Sequence, residues 1–186
     1  EARIATDRIK TSDQYGVEIK NILSLFEVPV ETVEDVIISS VVPPVFNAVR
    51  TGAYKVTGLT PMVVGPGIKT GLNIRLAVQS QVGADIVADA VAALEKFHPP
   101  IITIDMGTAT TISAVDAQGR FAGGAIVPGL RLSMESLSGN TSQLPRVSLD
   151  APAKCIGTNT VACMQSGAIY GSAALLDGMI ERMEAE

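Results

Sequence analysis

The chain is poor in aromatic residues, histidine and cysteine, and each shortage excludes a class of protein. Aromatic residues make up 4% of the 186 residues and tryptophan is absent, so the core must be built from Val, Ile, Leu and Ala. Such a core suits buried strands and closely packed helices. The single histidine and two cysteines support neither a disulfide scaffold nor a Cys/His metal site. We expect Cys155 and Cys163 to be reduced and buried.

An excess of basic residues and a long apolar run are also missing. The net charge of −5 and the pI near 4.9 give no electrostatic reason to bind nucleic acid or anionic lipid. No apolar run approaches the roughly 20 residues that span a bilayer, and the sequence does not open on a signal peptide. We therefore expect a cytoplasmic protein that binds neither nucleic acid nor membranes.

The spacing of apolar residues predicts an α/β chain of alternating strands and helices. In the clearest helix, 83–98, apolar residues recur at helical spacing and two prolines follow. A strand, a tight turn, a second strand, a hairpin turn at 117–119 and a third strand are predicted over 101–128. Further strands are predicted within 33–45 and 62–76, and further helices around 19–26, 46–54, 129–140 and 159–183.

The tight turn in IDMGTATT carries an unusual number of polar groups. Asp105 comes at the end of a buried strand, and Gly107 is expected to let the next strand turn back closely. Thr108, Thr110 and Thr111 are predicted to line the tip with hydroxyls and amides. Such donors beside a carboxylate suit a nucleotide phosphate and its cation. The same residues also fit a plain β-hairpin in which threonines serve as strand formers.

A second acidic residue, Asp85, lies in the first turn of the helix that leads into this strand. A carboxylate there could act as general base towards a substrate hydroxyl. Asp89, one turn later, is interpreted as a solvated charge, and His98 as a surface residue before the prolines. The segment GPGIKTGL, 65–72, lacks the full G-x-x-x-x-G-K-[ST] spacing, so we exclude a P-loop.

Several motifs occur together in one order from about residue 33 onward: GPGIKTGLNIR, Gly83-Ala-Asp85, Asp105-Met-Gly-Thr108, GGAIVPGL, LPRV and IGTNTVACMQSG. In this combination the chain resembles type III pantothenate kinase, the first enzyme of coenzyme A synthesis. The resemblance implies an α/β, actin-like ATPase (ribonuclease H-like) fold of the acetate/sugar kinase–Hsp70–actin superfamily. Two related subdomains with mixed sheets flanked by helices are then expected, at 1–98 and 99–186.

The resemblance also implies an activity, its cofactors and the roles of particular residues. The implied reaction is the ATP-dependent phosphorylation of pantothenate to 4'-phosphopantothenate, by a homodimer that needs Mg²⁺ and a monovalent cation, K⁺ or NH₄⁺. Matched position by position, the implied roles are proton acceptor for Asp85, substrate loop for Gly83, Ala84, Asp85 and Ile86, monovalent-cation ligand for Asp105, ATP binding for Gly107 and Thr108, and pantothenate contact for Thr160.

Two positions depart from the family pattern. The family usually reads G-A-D-R, whereas Ile86 follows the aspartate here, so the guanidinium that would pair with an anionic substrate is missing. At the substrate-contacting tyrosine of N-I-R-Y-D-N-P the chain has Leu76, followed by Ala77, Val78 and Gln79. These departures leave two alternatives open: a catalytically degenerate, ligand-binding regulator, or a related small-molecule kinase.

The two ends of the family pattern have no match in the sequence. The N-terminal D-x-G-N-T hairpin, which forms the first phosphate site, and the C-terminal Gly-Gly adenosine segment are both missing. We therefore expect the sequence to be a piece of a longer kinase, with the hairpin at 104–126 as the second phosphate-side hairpin. On the last helix, Met164, Ile169, Tyr170 and Leu175 are predicted as core, with a dimer face as the alternative.

Overall fold

The computed structural model describes residues 1–65, 68–76 and 82–186, and it confirms the α/β class. The helices are α1 (Ser12–Leu25), α2 (Pro43–Thr57), α3 (Ala84–Lys96), α4 (Leu130–Gly139) and α5 (Thr160–Glu184), with a 3-10 turn at Val30–Thr32. The strands are β1 (Ile37–Ser39), β2 (Met62–Val64), β3 (Asn73–Ile74), β4 (Ile101–Met106), β5 (Ala109–Val115) and β6 (Arg120–Pro128).

The chain forms two compact units, Glu1–Gly71 with Ser80–Ala88 and Leu72–Gln79 with Asp89–Glu186. In the first unit β1 and β2 pair in parallel, with Ile38 opposite Val63. Two residues of the helix α2, Val45 and Ala53, are buried in this unit. The predicted subdomain boundary after residue 98 stays a prediction.

Helices α1 and α2 of the first unit pack closely because glycine lies at their contact. A side chain at Gly52 would bring its Cβ to 2.7 Å from the Ser12 carbonyl oxygen and 2.9 Å from the Gly16 nitrogen. On the opposite helix, Tyr15 is buried beside Gly16. Since every close neighbour except the tyrosine is backbone, the two helices could admit a larger residue at Gly52 only by moving apart.

The second unit is built on a mixed sheet in the strand order β3-β6-β5-β4. Strands β4, β5 and β6 form an antiparallel meander, and β3 pairs in parallel with β6. Ile112, Val115 and Phe121 are almost completely buried on this sheet. A second cluster joins α4 to α5 through Met134, Met164 and Ala168, with Leu130, Leu144 and Val147 packed around it.

The hairpin turn predicted at 117–119 joins β5 to β6. Gly119 takes a left-handed φ of 74°, which glycine adopts at little cost. The Asp116 carboxylate accepts hydrogen bonds from the backbone N–H groups of Gln118 and Arg120 and from the Arg120 guanidinium. Desolvation raises the pKa of Asp116, but these hydrogen bonds and the guanidinium charge together lower it below its ordinary value.

Two expectations about burial were wrong or only partly right. Both Cys155 and Cys163 are exposed, because they flank the exposed start of α5, where the Cys163 thiol donates to a backbone carbonyl. On the same helix Met164 is buried as predicted, whereas Tyr170 and Leu175 are each 40% exposed. They are exposed because only part of this long helix packs on the α4 cluster.

Among the described residues, none of the helices has both the length and the apolar character needed to span a bilayer.

Replacing Gly52 by alanine is expected to destabilise the protein by about 1–3 kcal/mol, because the added methyl group overlaps backbone atoms of α1. The matched control is Gly167→Ala in α5, where the methyl group meets no atom within 4 Å. This control should be neutral or stabilising by up to about 1 kcal/mol. Urea unfolding measures both, and equal stabilities of the two variants would contradict the tight crossing.

The Asp116 turn is expected to make stability depend on pH. Since the folded state lowers the pKa of Asp116 below its ordinary 3.8, the stabilisation is fully present above 3.8 and is lost as the pH falls through the folded value. Asp116→Asn should therefore be less stable than wild type at neutral pH, and the gap should narrow in acid. Asp177→Asn, an exposed position on α5, is the control. A gap that is constant with pH would refute the expectation.

Candidate active site

The turn between β4 and β5 presents polar groups at one edge of the meander. Met106 pairs with Thr110 at the end of the ladder, and the Gly107 N–H donates to the Ala109 carbonyl at 3.0 Å. Asp105, Gly107 and Thr108 are all exposed. The predicted tip therefore forms, with a carboxylate and a hydroxyl open to a ligand.

The Asp105 carboxylate is open to solvent at the hairpin tip. Within the described part of the chain it accepts no hydrogen bond. No group of three His, Cys, Asp or Glu residues that could hold a metal ion occurs among these same residues. A cation at Asp105 would therefore complete its coordination with backbone oxygens, water or bound phosphate.

Two details of the predicted tip were wrong. Thr110 is only 5% exposed, because side chains alternate along β5 and Thr110 shares the buried face with Ile112. Gly107 has no left-handed φ, and a Cβ added to it would meet only the Ala109 carbonyl oxygen, at 3.5 Å. The structure of the turn therefore does not require glycine at position 107.

A depression of about 470 Å³ adjoins the tip. Arg131, in the first turn of α4, places a positive charge at its wall, and Glu135 follows one turn later. The wall is formed by Met106, Gly107, Thr108, Leu130, Arg131, Leu132, Glu135 and Leu149. The sequence analysis did not single out Arg131, which lies two residues after Gly129 at the predicted start of a helix.

Asp85 lies in the first turn of α3, in the first unit. Its Oδ1 atom accepts the backbone N–H of Ile86 at 2.8 Å. A Cβ added to Gly83 would overlap this same oxygen, so the absence of a side chain at Gly83 leaves room for the carboxylate. Ala84, Asp85 and Ile86 are half-buried, which leaves the carboxylate partly accessible.

Leu76, at the position of the family tyrosine, lies just after β3 in the second unit. Its side chain packs over Gly123, with Cδ2 at 3.4 Å from where a Cβ of that glycine would lie. Gly123 itself has a φ of 132°, which few other residues adopt. The Leu76 side chain therefore packs, at least in part, on β6. Residues 77–79, the rest of this predicted loop, lie outside the described residues.

Thr160 is the exposed first residue of α5. The preceding Asn159 caps the helix by accepting the Ala162 N–H at 2.9 Å. A hydroxyl at a helix N-terminus lies beside backbone N–H groups that have no partner within the helix. Thr160 belongs to the second unit with Asp105, Gly107, Thr108 and Leu76, whereas Gly83, Ala84, Asp85 and Ile86 belong to the first.

Comparisons with known proteins agree on one family. A family model described as type III pantothenate kinase matches residues 1–182. Type III pantothenate kinases from Exiguobacterium sp. (strain ATCC BAA-1283 / AT1b) and Syntrophotalea carbinolica are 45% and 44% identical to the chain. The enzyme of that name from Halalkalibacterium halodurans is 41% identical. Each match spans 99% of this chain and 72% of the relative.

A solved structure supports the fold. The crystal structure of a conserved Baf family protein from Campylobacter jejuni matches the chain with a TM-score of 0.51. The match covers 85% of this chain and 68% of the Campylobacter chain. The sequence identity is 19%, so this likeness concerns the fold alone.

Proposed function

The chain belongs to the type III pantothenate kinase family, and we propose that Asp85, Asp105 and Thr108 carry the reaction of that family in this protein. The family has the actin-like ATPase fold and phosphorylates pantothenate in coenzyme A biosynthesis, using ATP and a divalent metal. The observation that supports the roles most directly is the hairpin tip, where an exposed carboxylate and an exposed hydroxyl lie at one edge of a buried meander.

On the nucleotide side, the tip provides donors and one anionic ligand. The Thr108 hydroxyl and the backbone N–H groups of the turn would donate to phosphate oxygens. The Asp105 carboxylate would bind the monovalent cation, K⁺ or NH₄⁺, and Mg²⁺ would be held mainly by the phosphates of ATP. The Arg131 guanidinium, at the wall of the adjoining depression, adds positive charge near the same tip.

On the substrate side, Asp85 would accept the proton of the primary hydroxyl of pantothenate. The hydroxyl oxygen then forms a bond to the γ-phosphorus of ATP, the bond to the bridging oxygen breaks, and ADP leaves. Gly83 leaves room for the carboxylate that accepts the proton. Phosphoryl transfer depends mainly on positioning and charge neutralisation. The position that Gly83 allows the Asp85 carboxylate would therefore affect the rate of transfer.

The substrate contacts of this chain differ from those of the family. Thr160 would donate or accept one hydrogen bond to pantothenate, and Ala84, Ile86 and Leu76 would offer aliphatic contacts in place of an arginine and a tyrosine. The pantothenate carboxylate would therefore be bound without a guanidinium from position 86. A homodimer and a cytoplasmic location are part of the same proposal.

Asp85→Asn is expected to lower kcat by about 100-fold or more, because the amide cannot accept the hydroxyl proton. The KM for ATP should change little, since Asp85 acts on the other substrate. The control is Glu95→Gln, an exposed carboxylate on the same helix α3. Steady-state kinetics of the full-length protein measure both, and an Asp85→Asn turnover within a few fold of wild type would disprove the base assignment.

Asp105→Asn is expected to weaken the response to monovalent cations. Wild-type activity should rise when K⁺ or NH₄⁺ replaces Na⁺, and the variant should need a higher K⁺ concentration for half-maximal rate because it has lost an anionic ligand. Asp105→Glu, which keeps the charge, should retain part of the response. A K⁺ titration that is the same for wild type and Asp105→Asn would count against the role.

The alternative functions rest on Ile86 and Leu76, which replace the arginine and tyrosine of the family. Calorimetry of the full-length protein with ATP and with pantothenate separates these alternatives from the kinase. Binding of both ligands without product formation would favour a ligand-binding regulator. Phosphorylation of sugars or hydroxy acids, but not of pantothenate, would favour a related small-molecule kinase.

A further inference from the structure

The junction between β6 and α4 passes directly against the β4–β5 turn. Gly129, the N-cap residue of α4, is buried, and its N–H donates to the Thr108 carbonyl at 3.0 Å. In the neighbouring ladder Pro128 pairs with Ala109. The end of β6 therefore lies against the tip that we assign to the nucleotide phosphates.

No side chain fits at Gly129. A Cβ there would overlap the Gly107 carbonyl oxygen and would lie 2.5 Å from the carbonyl oxygen of Thr108 and 2.9 Å from its carbonyl carbon. All three atoms are backbone, so they cannot move aside by changing a rotamer. The φ of Gly129 is −64°, which any residue can adopt. Glycine is therefore needed at position 129 for space and not for its backbone conformation.

We propose that Gly129 is a positioning residue for the phosphate-binding tip, an inference that rests on the proposed function. In a trans peptide the carbonyl oxygen and the amide hydrogen point to opposite sides of one rigid plane. Because the Gly107 oxygen faces Gly129, the Thr108 N–H of the same peptide points away from it. Bringing the helix start this close fixes the direction in which Thr108 can donate to a phosphate. A side chain at position 129 would turn that peptide and misplace the donor.

The test compares Gly129→Ala with Gly139→Ala, the same change at the last residue of α4, where an added Cβ meets no atom within 4 Å. Gly129→Ala should raise the KM for ATP by about tenfold or more, because a misplaced Thr108 N–H loses a charge-assisted hydrogen bond to a phosphate oxygen. Its KM for pantothenate should stay within about twofold, because the added methyl group reaches only the nucleotide side. Gly139→Ala should match wild type in both constants.

A wild-type measurement covers the case in which Gly129→Ala does not fold. A non-hydrolysable ATP analogue with Mg²⁺ should slow hydrogen exchange at the Gly129 amide by about tenfold or more, because the analogue stabilises the tip to which this amide is bonded. The Asn140 amide, bonded to Ser136 at the far end of α4, should slow less.

Two outcomes overturn the inference while the kinase assignment stands: equal ATP constants for the two alanine variants, or equal slowing at Gly129 and Asn140. A wild-type protein that binds no ATP and phosphorylates no pantothenate would instead overturn the proposed function.

Discussion

The antiparallel register of β4, β5 and β6 is the constraint on which the candidate phosphate site depends. It pairs Met106 with Thr110 and Ala109 with Pro128, so the β4–β5 turn and the end of β6 lie at the same edge of the sheet. Ile112 favours this register because its side chain is completely buried, and a slip of one residue would turn the side chain to the opposite face of the sheet.

In both units, glycines allow neighbouring groups to lie where a side chain would otherwise be. In the first unit Gly52 lets two helices approach closely and Gly83 leaves room for the Asp85 carboxylate. In the second, Gly129 brings the start of α4 against the hairpin tip. At Gly129 the ordinary φ shows that space, and not backbone conformation, requires glycine. A glycine of this kind fixes where its neighbours lie without touching a ligand itself.

The sequence predicted most of the second unit, because its signals are local. The hairpin turn at Gly119 and the helix α4, predicted over 129–140, both follow from short patterns. The wrong details depend on packing between distant segments. Thr110 faces the interior through strand alternation, and the glycine that the tip requires is Gly129, about twenty residues further along the chain, instead of Gly107. No local pattern shows which backbone will lie against the turn.

The proposed roles of the site residues rest on the family resemblance more than on physical reasoning. A carboxylate and threonines at a turn fit a plain hairpin equally well, and only the joint motifs favoured a kinase. The exposed cysteines at 155 and 163 and the packing of Leu76 on Gly123 could not be read from the sequence, because burial depends on how long helices and strand ends meet their neighbours.

The most direct test of the account is mass spectrometry of the products formed by the full-length protein from pantothenate and ATP, with Mg²⁺ and K⁺ present. The account predicts pantothenate that has gained one phosphoryl group, together with an equal amount of ADP. Binding of ATP and pantothenate with no phosphorylated product would contradict it.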